Sequence, residues 1–396
     1  MHYAVPRLLN ESERLEKLYT DICAVKGWPQ IFGLFPNIIL SPSIRRYKSR
    51  VPHGIPRRLI KAFTDFGLEY QFRRSRAASA NELTAIHLWA GEHFCNLILE
   101  SNPPTTTNLY CFNSAGLELL QHWQTSCHTT VIEQTIAPRR IENQILYDEE
   151  QAYPEWQAPV ARDANIDAYM IREEAEWSAS KVIVCGSEFV KSGIAQCGGP
   201  VERCTVVPYG IPLTAFPGRI KTFNGKRPLR VLTVGEVCLR KGSQYVLQAA
   251  QRLAAKVDFR MAGPMGLLPE RATELKKIIT CTGIVDRREI AQHFAWADLF
   301  LLPSLCEGSA TVTYEALAAG LPVIVTASTG SIVEHGVCGF CISERNIDAI
   351  VSALEVFLDK PMLLREMSSA ALEKSRYGSL QAYGQRLLGL FDSWSQ

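Results

Sequence analysis

The chain has 396 residues, enough for two domains, and with 47% hydrophobic and 21% charged residues it has the composition of a globular protein with a substantial core. Lys plus Arg number 42 against 40 Asp plus Glu, a balance that singles out no polyanionic partner, and nothing points to nucleic acid. No run approaches the ~18 apolar residues of a membrane span, and the opening "MHYAVPRLLNESERLEKL" is charged and lacks the apolar stretch of a secretion signal.

That opening reads as an amphipathic helix, where a doubly wound domain ordinarily begins with a strand and a glycine turn. A helical stretch over Glu82 to Leu99 follows, then strands at "TNLYCFN" and "TTVIEQT". A helix over Ala168 to Ser180 and strands at "KVIVCGS" and "CTVVPYGI" complete a first α/β domain, expected over residues 1–210. "PLTAFPGRIKTFNGKRP", rich in Pro, Gly and basic residues, predicts a linker over 211–228.

From Leu229 the pattern sharpens. "LRVLTVG" is a β-branched run ending in Gly235, "SQYVLQAAQRLAAK" has helical spacing, and "VDFRMAG" is a strand ending in Gly263. A helix around Glu270 to Lys277, the short strand "IITCTG" with Gly283, and a helix across Arg288 to Ala297 come next. "LFLLP" is a strand, Ala310 to Ala319 a helix, and "PVIVT" a strand. Strands alternating with helices predict a doubly wound parallel sheet over 229–376. The last helix, "SLQAYGQRLLGLFDSW" within 377–396, is expected to cross back onto the first domain.

Twelve cysteines are scattered along the chain. The CxxC of Cys338 and Cys341 lacks the second pair that a zinc site needs, so it reads as two small apolar residues at a strand start. Reduced thiols and a cytoplasmic location are expected.

In an open parallel sheet, ligands bind beyond the carboxyl ends of the strands. "LFLLPSLCEG" therefore delivers Glu307 to that edge, and Gly308, Ser309, Ala310 and Thr311 form the start of the next helix, a seat for phosphate. Glu315 lies about a turn and a half further along, at about 1.5 Å per residue. A carboxylate accepts from two vicinal hydroxyls at once, so the pair suits a diphosphate flanked by two polyols, a ribose and a sugar. After Gly235, "EVCLRKGS" places Arg240 and Lys241 at another strand end, where they can neutralise a diphosphate. No Asp-x-Asp pair is present to hold a divalent metal, and no metal or cofactor is expected.

"EGSATVTYEALAAGLPVIVTASTGSIVEHGVCGF" resembles the E-x7-E segment of retaining glycosyltransferases of family 4, the group 1 type. "VGEVCLRKGS", "ADLFLLPSLCEG" and "VVPYGI" fall in that family's order, and the resemblance covers about residues 180 to 342. It implies a GT-B fold, with two Rossmann-like doubly wound domains facing each other across a cleft. It implies transfer of a sugar from a UDP- or GDP-sugar to an acceptor hydroxyl, with Glu307 at the donor sugar, Glu315 at the ribose, and Arg240 and Lys241 on the diphosphate. Gly308 to Thr311 would present amides, Gly235 would permit close approach, the loops of Gly263 and Gly283 would line the base, and Gly330, Ser331 and Glu334 match a further family segment. Glu236 stands where the family often has Arg, and Ala310 where it often has Gly.

In the first domain, Glu133 or Gln134 ends a strand where relatives often carry a His, and Glu133 is assigned a polar, orienting role. Arg45 to Arg76 holds ten Lys or Arg against Asp65 and Glu69, with His53 inside it. That stretch suits an anionic bilayer carrying a lipid-linked acceptor, an acidic acceptor, or plain solvation. Glu236 and Ala310 also leave room for a catalytically silent GT-B protein that acts as a binding or assembly partner.

Overall fold

The computed structural model describes residues 3–34, 48, 50–124, 126, 128–159, 162–286 and 289–393. Arg45 and Arg46 of the basic stretch, Arg288 at the head of an expected helix and Trp394 at the end of the last one lie outside the described residues. The chain divides into two compact units that do not follow its linear order. The first holds Met1–Glu133, Ala161–Ile183 and Leu387–Gln396, the second Gln134–Val160 and Val184–Arg386.

The first unit opens with the helix Ala4–Glu11. Strands β1 (Leu18–Thr20) and β2 (Ile60–Ala62) then pair in parallel, an addition that the sequence pattern did not show because three residues carry no periodicity. The helix Ala80–Glu100 starts where Ser79 Oγ accepts the Glu82 N–H at 3.1 Å, while the Glu82 carboxylate reaches back to the Ala78 N–H at 2.8 Å. β3 (Leu109–Phe112) pairs in parallel with β4 (Thr130–Gln134), Phe112 opposite Glu133. β5 (Val182–Cys185) and β6 (Cys204–Val206) follow in the strand order β3-β4-β5-β6, with β6 and the end of β5 among the residues of the second unit. The end of the last helix, Leu380–Asp392, belongs to this unit, where Asp392 pairs with Arg14 at 2.6 Å.

The second unit is built on a six-stranded sheet. Its strands are β7 (Leu229–Val234), β8 (Val257–Ala262), β9 (Thr280–Cys281), β10 (Leu299–Leu302), β11 (Val323–Thr326) and β12 (Gly339–Ile342), in the order β12-β11-β10-β7-β8-β9. All the pairings are parallel. Side chains alternate between faces along a strand. Leu299 and Leu301 therefore join one core with Val231, Phe259 and Leu247, while Phe300 and Leu302 join another with Leu232, Phe294 and Leu317. Both faces are covered by helices, which is why "LFLL" is apolar at every position.

Candidate active site

The sheet of the second unit runs from β7 through β9 on one side, then returns to β10 and proceeds through β12 on the other. The order reverses between β7 and its neighbour β10, where Leu299 lies opposite Val231. A reversal of this kind leaves the crevice in which open α/β sheets hold ligands. The loops that leave these two strands carry Arg240 with Lys241, and Glu307.

After β7, Leu239–Lys241 form a single 3-10 turn that ends at Gly242, whose φ is +73°. A Cβ on Gly242 would come within 2.3 Å of the Pro303 carbonyl oxygen, so only glycine lets this turn press against the end of β10. The Leu305 N–H donates to the Arg240 carbonyl at 2.9 Å, which ties the two loops together. Arg240 Nη1 then donates to Glu307 Oε1 at 2.9 Å and to the Cys306 carbonyl at 2.8 Å. Lys241 Nζ lies 2.6 Å from the same Glu307 oxygen. Two cations thus share one carboxylate oxygen. Burial works against the Arg240 charge, yet Glu307 and Glu142 outweigh it and hold the guanidinium pKa above its usual value.

The loop that carries Glu307 is fixed by hydroxyls from the loop after β11. Ser328 Oγ donates to the Ser304 carbonyl at 2.8 Å and Thr329 Oγ1 to the Leu302 carbonyl at 3.1 Å. The Glu307 N–H donates to the Ser328 carbonyl at 3.0 Å. Ser187 Oγ donates to the Gly308 carbonyl, and a Cβ on Gly308 would lie 1.8 Å from the Thr135 carbonyl oxygen. These contacts explain Gly308 of "EGSA", which approaches backbone closely, and Ser328 and Thr329 of "TASTGS", which supply short hydroxyls.

Of the expected amide seat, the Ala310 N–H is committed to the Thr329 carbonyl at 3.1 Å, a correction to the reading that all four amides face a ligand. Among the described residues, the N–H groups of Gly308, Ser309 and Thr311 meet no acceptor. Ser309 Oγ is turned inward, to the Tyr314 hydroxyl at 2.6 Å and the Gly330 carbonyl at 3.1 Å. Glu315 is half-buried on the helix Thr311–Ala318. Gly235, Gly263 and Gly283 form a row across neighbouring strand ends, the Gly235 N–H donating to the Ala262 carbonyl and the Gly263 N–H to the Gly283 carbonyl, both at 2.9 Å. Glu236 is exposed, its carboxylate beside Gly266. Ser331 Oγ donates to Thr313 Oγ1 at 2.9 Å, and Glu334 pairs with Lys374 at 3.0 Å. A cleft of about 440 Å³ opens on Gly330 and Ser331, lined also by Ser187, Glu188, Lys374 and Tyr377. Glu133 belongs to the first unit, where it is buried and accepts from the Tyr110 hydroxyl at 2.5 Å.

Two residues of the site carry no sequence signal. Glu142, on the helix Arg139–Ala152, lies 4.0 Å from Arg240 Nε and accepts from Arg139 at 2.8 Å. Arg139 and Arg240 thus both face Glu142, while Arg240 and Lys241 both face Glu307. Among the described residues no group of three or more His, Cys, Asp or Glu could hold a metal ion, and no helix is long and apolar enough to cross a membrane.

Residues 228–360 match the family model described as glycosyl transferases group 1. They form a group 1 glycosyltransferase domain. All of the strands on which the cation–carboxylate cluster stands fall inside it, and the fold is GT-B. The chain is similar to MMP alpha-(1->4)-mannosyltransferase of Mycolicibacterium hassiacum, 26% identical over 376 residues, which cover 90% of this chain and 86% of that protein. It is also similar to the amylovoran biosynthesis glycosyltransferase AmsK of Erwinia amylovora, 26% identical over 220 residues, 50% of this chain and 54% of that protein. The chain spans about half the length of that relative. Among solved structures, HepE of Anabaena in complex with UDP and glucose shares the fold of this chain, with a TM-score of 0.59 at 15% identity over 96% of this chain and 100% of that one.

Proposed function

We propose that the chain is a retaining glycosyltransferase that moves a sugar from a UDP- or GDP-sugar to an acceptor hydroxyl, in the synthesis of a glycan, polysaccharide or glycolipid. The observation that carries this reading is the meeting of Arg240, Lys241 and Glu307 at the reversal point of the sheet. Two fixed cations with little exposure are what a departing diphosphate needs, and they supply the charge without requiring a divalent ion. The group 1 match over residues 228–360 supports the donor type, as do the named activities of the relatives and the UDP and glucose held by HepE.

In this mechanism the bond between the anomeric carbon and the diphosphate oxygen breaks while Arg240, Lys241 and the amides of Gly308, Ser309 and Thr311 take up the charge that develops on the phosphate. The acceptor hydroxyl forms its bond to the anomeric carbon on the same face, and its proton passes to the leaving phosphate, so that no strong protein base is needed. Glu315 takes the ribose hydroxyls. Preorganised groups of this kind stabilise the transition state without reorganising at the moment of reaction.

A panel of nucleotide sugars, screened for release of the nucleoside diphosphate with and without chelator, tests the reading. Release from one donor class, undiminished by chelator, is the expected outcome. Neither release nor calorimetric binding with any UDP- or GDP-sugar would leave a silent binding protein and refute the proposal.

A further inference from the structure

Glu307 presents a conflict. To receive sugar hydroxyls its oxygens must be open, yet Oε1 is held by Lys241 at 2.6 Å and Arg240 at 2.9 Å. Only 11% of the Glu307 side chain and 12% of the Lys241 side chain are exposed, so water screens the contact weakly. The only other carboxylate near Arg240 among the described residues is Glu142, at the longer 4.0 Å and already engaged by Arg139. One oxygen of Glu307 is therefore the chief counter-charge of both cations.

We infer that Glu307 is a displaceable stand-in for the diphosphate, and that the arrival of the diphosphate is what frees this carboxylate to read the sugar. The inference rests on the donor-site reading above and adds an order of events to it. A diphosphate offers several anionic oxygens, two of which match the guanidinium fork of Arg240, and it takes over both cations. Glu307 then loses its partners and becomes an unpaired carboxylate in a poorly hydrated place, a state that is costly until hydroxyls donate to it. Sugar hydroxyls on the same donor molecule satisfy it. The device discriminates in both directions. A sugar without a diphosphate meets a carboxylate whose Oε1 is already held by two cations, and a nucleoside diphosphate without a sugar must leave that oxygen unsatisfied.

Calorimetric titration of UDP and GDP into the full chain and into the Glu307→Gln variant tests this, with thermal melting to confirm that the variant is folded. The neutral amide neither competes for the cations nor suffers when they leave. The variant is therefore expected to bind the preferred nucleoside diphosphate about tenfold more tightly while the advantage of the intact nucleotide sugar over the diphosphate shrinks. Equal or weaker binding of the diphosphate by a folded variant overturns the displacement. Should the variant not fold, a structure of the unaltered chain with the diphosphate bound decides: Glu307 Oε1 is expected to leave both cations, and retention of both contacts overturns the inference. Failure of both proteins to bind any nucleoside diphosphate refutes the donor site itself, a separate outcome from the first.

Discussion

Replacing Lys241 with alanine separates this cation's role at the leaving group from its role in holding the chain together. Its ammonium lies 2.6 Å from Glu307 Oε1, and Arg240 keeps the same oxygen at 2.9 Å. Deleting the lysine therefore leaves the carboxylate paired, and the stability cost is that of one charge-assisted bond, about 1–2 kcal/mol. For a unit of this size that lowers Tm by about 2–8 °C. At the transition state no such replacement exists, because the departing diphosphate has lost one of two fixed cations in a site with little water. Loss of one preorganised donor to a developing oxyanion lowers kcat by about 10²–10³-fold. Initial rates of nucleoside diphosphate release at saturating donor, with melting curves run in parallel, give both quantities. Lys241→Arg is expected to restore little, since a planar guanidinium fork does not reproduce the compact point charge of an ammonium. A Lys241→Ala protein with kcat within twofold of the unaltered chain would remove this cation from the leaving group.

Two further outcomes follow from packing and from titration. Gly308→Ala places a methyl 1.8 Å from the Thr135 carbonyl oxygen and 3.0 Å from Ile136 Cα, backbone that cannot swing aside. It is expected to cost more than the ~1–3 kcal/mol of ordinary overpacking, and an unchanged melting temperature would show that this loop is not so tightly held. Glu176 is fully buried and accepts the N–H groups of Ser114 at 2.6 Å and Gly116 at 2.9 Å. Burial outweighs these bonds and raises its pKa from 4.5 to about 7. The native carboxyl thus holds a proton more tightly than the unfolded one. Its contribution to stability is full below about pH 4.5 and is lost as the pH rises through about 7, a change of about 3 kcal/mol. Urea unfolding between pH 5 and 8 is expected to show this fall in the unaltered chain and a flatter profile in Glu176→Gln, and equal slopes would refute the assignment.

Strands β10 and β11 were legible in the sequence because they are buried on both faces. A run such as "LFLL" has no polar position to blur its ends, and β10 spans Leu299–Leu302 of the expected "LFLLP". Glu307 and Lys241 were legible for a related reason: each follows a clear strand by a short loop, and a parallel sheet sends all such loops to one edge. β1 and β2 were not legible, because three residues of mixed polarity fix no period. The amides of "GSAT" were legible as a helix start. That one of them is already bound to Thr329 depends on a loop from the neighbouring strand, which local pattern does not place.

Glu142 was invisible for a different physical reason. "RRIENQILYDEEQA" is so polar that its helix reads as a solvated surface, yet Glu149 within it is 1% exposed. Its carboxylate accepts from Tyr245 at 2.8 Å and Gln244 at 2.6 Å and pairs with Arg345, which anchors the helix against the sheet's own helices. Glutamate is rarely buried unless it is paired, and the partners here lie about a hundred residues or more away in sequence. No local pattern announces them. That anchor brings Glu142 and Arg139 to the turn of Arg240. The charge balance that a diphosphate meets is therefore set in part by a helix with no motif, and that helix is anchored by the buried carboxylate of Glu149 rather than by any residue of the site.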